Sequence, residues 1–217
     1  MNRQTLVFGS AVVLLLAFLV GASMFRGQRE VRIGFLAVQN ASTLAPVHAQ
    51  TKGPADARVY LIEFFDPACE TCAQFHKPVE DLLAAHPGQI RLVLRYAPFH
   101  PGSKGMVKIL EAARKQGKYW ETLEVMFATQ SAWASHRNPQ PDRIWEFLPR
   151  AGVNIEQLKA DLDDPDLDAL IEQDLADAAT LGIRQTPGFL VNGKPLVHFG
   201  YAQLKALVEE EIAASYP

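Results

Sequence analysis

The chain has 217 residues, 48% of them hydrophobic and 21% charged, with a formal net charge of −3 at neutral pH. That suits one well-cored domain with additions. It lacks the basic excess that nucleic-acid binding draws on, so no nucleic-acid partner is expected. Its two cysteines, Cys69 and Cys72, are too few for a disulfide framework.

The N-terminus differs in kind from the rest. Residues 5–25, TLVFGSAVVLLLAFLVGASMF, carry no charge, and about 20 apolar residues cross a bilayer as a helix. No polar face interrupts the run, unlike the one-sided pattern of a surface helix. Residues 1–25 are therefore expected to be a transmembrane anchor or uncleaved signal, with GAS at 21–23 a weak cleavage site. Arg26, Arg29 and Arg32 follow the run and only Arg3 precedes it, a bias that by itself favours a cytoplasmic C-terminal side. Residues 26–57 read as linker: VRIGFLAV, 31–38, is apolar enough for a short strand or an interfacial segment, and 39–57 is small and polar, punctuated by Pro46 and Gly53-Pro54.

The folded domain is expected over 58–217. RVYLIEFF, 58–65, is an apolar and β-branched run ended by Asp-Pro, the pattern of a buried strand. A helix is predicted from Cys69 to about His86, with Phe75, Val79, Leu82 and Leu83 on one face. QIRLVLRYAPF, 89–99, is a second strand. Strand, helix, strand at this spacing implies a parallel pair. Helical patterns follow at 103–117, 118–130, 142–152, 154–164 and 166–182, with Asn154 and Asp166 as N-caps and Gly182 beyond a C-terminus. Trp120, Trp133 and Trp145 fall at core spacings within this block, and the acidic run 161–168 reads as a solvated turn. TPGFLVNGKPLVHF, 186–199, is two short apolar runs joined by Asn-Gly, a hairpin signal. A last helix, 201–214, ends the chain.

The chemistry concentrates at Cys69 and Cys72. Cys69 opens a helix, where unpaired backbone N–H groups and the helix dipole favour a negative sulfur. Its acidity should therefore rise, making it the exposed nucleophile, with Cys72 one turn deeper as the resolving thiol. Glu70 and Thr71 lie between them and would tune the potential; a Glu70 carboxylate opposes the thiolate and predicts a mild oxidant. A disulfide closing so short a loop has little structural value. A metal reading stays open: Cu(I) or Zn²⁺ held by the two thiolates, with His76 as a third ligand.

These residues resemble the DsbA-like group of bacterial periplasmic thiol–disulfide oxidoreductases. The likeness rests on LIEFFDPACETC, on Glu63 six residues before Cys69, on QTPGFLVNGK, and on the helical block about 103–182. It implies an α/β thioredoxin fold with an inserted helical domain. It implies catalytic roles for Cys69, Cys72 and Glu63, the last a buried acid that moves the proton of Cys72. Thr186 and a cis Pro187 would bind substrate backbone. No cofactor beyond a Cys69–Cys72 disulfide is implied, and no metal. The partners would be unfolded exported proteins and a membrane redox protein. The location would be the inner membrane, with the catalytic domain in the periplasm, where disulfides persist. Residues 26–57 are too short for a dimerisation module, so a monomer is expected. The Glu70-Thr71 dipeptide and Thr186 before the proline leave the direction of electron flow open. His100 follows the second strand and is read as a loop histidine near the site.

Overall fold

The structure is a computed structural model. It describes residues 44–135 and 139–217, together with Phe18, Val20 and Gly21. The expected anchor over 1–25, and the apolar stretch 31–38, lie almost wholly outside the described residues. Among the described residues no helix is long and apolar enough to cross a membrane.

Five strands form one sheet: β1 (Gln50–Lys52), β2 (Val59–Phe65), β3 (Ile90–Tyr96), β4 (Gly188–Val191) and β5 (Lys194–Pro195), in the order β1-β3-β2-β4-β5. β2 and β3 are parallel and joined by α1 (Glu70–Ala85); the other pairings are antiparallel. β1 sits inside the stretch expected to be linker. Its three polar residues give no strand signal; the free edge of β3 supplies the pairing. Gly53, at φ +100°, makes the approach possible, because a Cβ there would lie 2.3 Å from the Ile90 carbonyl oxygen.

The period-2 alternation of the two central strands sorts their side chains onto two cores. Val59, Leu61 and Phe65 of β2 and Leu92, Leu94 and Tyr96 of β3 join Val79 and Leu82 of α1 in the larger one. It extends through α2 (Ser103–Lys115), α3 (Tyr119–Trp133) and the last helix, α6 (Tyr201–Ser215). Ile62, Phe64 and Val93 point the other way, onto Leu44 and onto Ala178 of α5 (Pro165–Thr180). Glu63 shares the face of Leu61 and Phe65, and is the acidic member of an otherwise apolar row.

Between α3 and α5 come two 3₁₀ segments, Pro141–Glu146 and Leu148–Ala151, and the short α4 (Ile155–Asp161). The helix expected over 142–152 is thus two tight turns, each opened by a proline in its first turn. Asn154 caps α4, accepting from the Gln157 backbone N–H at 3.1 Å. The cap of α5 is Asp164 rather than Asp166, because Pro165 takes the first helical position, which tolerates a missing N–H. Asn192 and Gly193, at φ 47° and 84°, make the tight β4–β5 turn.

Candidate active site

β2 aims the chain at the site. After Phe65 it turns through Asp66, Pro67 and Ala68 into Cys69, which is the N-cap of α1 in extended conformation (φ −78°, ψ 118°). Asp66 makes this turn: its Oδ1 accepts from the Ala68 N–H at 2.8 Å and the Ser103 hydroxyl at 2.5 Å. Its Oδ2 accepts from the backbone N–H and Nδ1 of His100, at 2.8 and 2.7 Å. Gln130 of α3 clamps the turn from the other side, donating through Nε2 to the carbonyls of Pro67 at 2.8 Å and Cys69 at 3.0 Å.

Both cysteines are free thiols. Cys69 is not the exposed group expected: it is 5% exposed, at the floor of an open cleft of about 370 Å³ lined also by Glu70, Thr71, His100, Arg184 and Thr186. Its thiol pKa is pushed from an ordinary 9.0 down to about 5. The largest cause is hydrogen bonding from the Cys72 thiol, which outweighs burial; Thr186 and the backbone N–H groups of Cys72 and Thr71 add to it. Those two N–H groups are the unpaired donors of the helix start. Glu70 is exposed and lines the same cleft as Cys69.

Cys72 is fully buried. Its Sγ accepts from the Asp66 backbone N–H at 3.5 Å. Burial first, then its hydrogen bond to Cys69 and the charges of Glu63 and Cys69, push its thiol pKa far up. Glu63 is 5% exposed and has no hydrogen-bond or ion-pair partner among the described residues. Burial, reinforced by the Cys69 charge, raises its carboxyl from 4.5 to about 8. The result is an acidic thiol, a buried thiol that holds its proton, and a carboxyl titrating near neutrality, coupled to one another.

The loop before β4 completes the site. The Thr186–Pro187 peptide is cis, and the Thr186 carbonyl accepts from the Cys69 thiol at 3.3 Å. Cys69, Cys72, Glu63, Thr186 and Pro187 are therefore brought to one place. His76 is not: its Nε2 pairs with Glu124 Oε1 at 2.8 Å and its ring packs on Phe127. Among the described residues no three His, Cys, Asp or Glu side chains converge as a metal site.

Sequence reasoning missed Asp66 and Gln130. The signal for Asp66 was present, since Asp before Pro two residues ahead of a helix start is an Asx-turn residue. Nothing in the sequence pairs Gln130 with residues 61 and 63 positions earlier.

The sequence matches the thioredoxin family over residues 47–210. This chain belongs to the thioredoxin family. DsbA-like proteins are among the solved structures that share its fold. A thioredoxin-like oxidoreductase from Silicibacter pomeroyi DSS-3 is 29% identical, with a TM-score of 0.68 over 79% of this chain and 96% of that one. The thiol-disulfide exchange protein α-DsbA2 of Wolbachia pipientis shares the fold at 18% identity, with a TM-score of 0.66 over 86% and 97% of the two chains. A Na(+)/H(+) antiporter NhaA of Herminiimonas arsenicoxydans is 33% identical over 145 residues, 67% of this chain. The chain spans only 22% of that antiporter and 24% of one from Salinispora tropica, so the likeness concerns a part of those proteins.

Proposed function

We propose that the protein is a thiol–disulfide oxidoreductase that passes its Cys69–Cys72 disulfide to exported proteins. The observation that carries this reading is the acidic Cys69 at the N-cap of α1, with Cys72 buried one turn deeper and held protonated. A thiolate stable at neutral pH favours the reduced form of the pair, and a favoured reduced form makes the disulfide oxidising. The Glu70 carboxylate argues for a milder poise and the acidity of Cys69 for a stronger one; this reading gives the weight to Cys69.

A client thiolate attacks Cys69 Sγ of the disulfide, forming a client–Cys69 mixed disulfide; the Cys69–Cys72 bond breaks and its electron pair goes to Cys72. Cys72 takes a proton from the Glu63 carboxyl, whose raised pKa suits that transfer. A second client thiolate then attacks the client sulfur, and Cys69 leaves as its stable thiolate. The client loses two electrons, and the protein keeps them as a dithiol until a membrane redox partner removes them. Client backbone lies against Thr186, in the manner of an added strand.

The apolar run 5–25 and the need for an oxidising compartment support an inner-membrane protein whose monomeric catalytic domain faces the periplasm. The test is direct: the oxidised chain, mixed with an equimolar reduced unfolded protein, loses its disulfide as the client gains one. Cys69→Ser abolishes the exchange. A Cys69–Cys72 couple as reducing as ordinary cytosolic dithiols, measured against glutathione, would overturn the oxidising direction.

A further inference from the structure

We infer that Arg184 is a specificity-determining residue of the exchange: it selects client segments that carry an acidic side chain close to the reacting cysteine. This deepens the oxidoreductase reading and rests on it.

Arg184 stands in the loop between α5 and β4, and lines the cleft together with Cys69 and Thr186. It is exposed. Among the described residues, every other lysine and arginine is engaged. Most are ion-paired with an acid. Arg58 donates to the Ser215 carbonyl, Arg91 to the Thr51 hydroxyl, and Arg150 lies over the Phe147 ring. Arg184 alone of that set has no hydrogen bond, ion pair or ring contact among the described residues. Acids are not scarce in a chain of net charge −3. The one unmatched guanidinium therefore falls where a client passes.

Its place on the loop fixes what it meets. The Cys69 thiol donates to the Thr186 carbonyl at 3.3 Å, so a client sulfur that reacts at Cys69 brings its own backbone to Thr186. Arg184 is two residues earlier, at most about 7 Å along the chain. A client segment laid along this loop as an added strand sets a residue within about three positions of its cysteine opposite Arg184. The planar guanidinium presents a fork of N–H donors that a carboxylate matches with both oxygens. A client lysine at the same place meets like charge. Charge complementarity of this kind acts on encounter and on rejection of wrong partners more than on raw affinity. Glu70, the first residue of α1, lines the same cleft with the opposite charge. An acidic client segment entering beside Glu70 is repelled unless a cation offsets it, and Arg184 is the lysine or arginine that lines the cleft.

The test uses reduced peptides of one sequence with a single cysteine, flanked two residues away on each side by Glu or by Lys. Each is added in excess to the oxidised full-length chain, and loss of the protein disulfide is followed in acid-quenched samples. Every rate is divided by that peptide's rate with bis(2-hydroxyethyl) disulfide, which removes the intrinsic reactivity of its thiol. The corrected Glu-to-Lys ratio should fall about two- to fivefold in Arg184→Gln, the size of one solvent-exposed ion pair, and further in Arg184→Glu. Glu70 is common to all three chains, so its effect cancels from the comparison. On the unmodified chain the corrected ratio should shrink between about 0.02 and 0.5 M salt, because exposed charges are then screened. That arm does not depend on how a variant folds. A corrected ratio equal in wild type and both variants, or indifferent to salt, overturns selection by Arg184 and leaves the oxidoreductase reading intact. A wild-type chain that loses its disulfide to neither peptide overturns the two together.

Discussion

Cys69 and Glu63 flank the buried Cys72 thiol, and their acidities are displaced in opposite directions. At pH 7 the first is a thiolate and the second is mostly protonated. Alkylation of reduced Cys69 should follow a single titration with its midpoint near 5, against about 8.5 for a free cysteine. Cys72→Ala should move that midpoint up, because the Cys72 thiol is the largest stabiliser of the Cys69 charge. Stopped-flow iodoacetamide kinetics across pH 3–9 read both. Glu63→Gln removes the proton carrier while keeping shape, so transfer to and from Cys72 should slow by about 10²-fold, seen as accumulation of mixed disulfide in quenched samples. Helix-start logic singled out Cys69 in the sequence, and the resemblance to the DsbA-like group singled out Glu63.

At the scale of elements, one buried carboxylate holds a helix to the sheet, and it differs from the many surface ion pairs in what it replaces. Asp174 of α5 lies behind the sheet, accepting from Arg95 Nε at 2.8 Å, the Tyr96 N–H at 2.7 Å and His48 Nε2 at 2.7 Å. Arg95 is fully buried, also pairs with Asp177, and stacks its guanidinium on Phe64. Removing Asp174 takes away one of the two carboxylates that pair with the buried Arg95 and leaves the buried Tyr96 N–H without its acceptor, so Asp174→Ala should cost about 3–5 kcal/mol in urea unfolding. The exposed pairs Lys104–Glu172 and Lys108–Asp168 link α2 to the same helix. Lys104→Ala should shift stability by no more than about 1 kcal/mol. β2, β3, α1 and the hairpin were legible because one face of each repeats at its own period. β1 and the 3₁₀ turns were not. β1 exists only because β3 offers an edge and His48 and Leu44 pin the preceding segment. Residues 141–151 carry a helical apolar spacing that their two prolines convert into tighter turns.

For the molecule as a whole, the redox state and the stability are one equilibrium. In the reduced protein the Cys69 pKa is lowered from 9.0 to about 5. A lowered acid pKa contributes stability that is complete above the unfolded value, declines as pH falls from 9 toward 5, and is absent below the folded value. The oxidised protein has no thiol to ionise and lacks this contribution. Glu63 works in the opposite sense: its raised pKa gives a contribution complete below 4.5 and lost as pH rises through about 8. Burial, its main cause, is common to both redox states and largely cancels between them. The stability of the reduced form relative to the oxidised one should therefore be larger at pH 7 than at pH 4. The difference should be about 1–2 kcal/mol, once solvent in the open cleft is allowed for. Urea midpoints of the two forms, measured in parallel from pH 4 to 8, give this directly. A relative stability flat across that range would mean that Cys69 does not ionise in the cleft. The driving force for donating a disulfide would then have to come from strain in the oxidised pair rather than from charge in the reduced one.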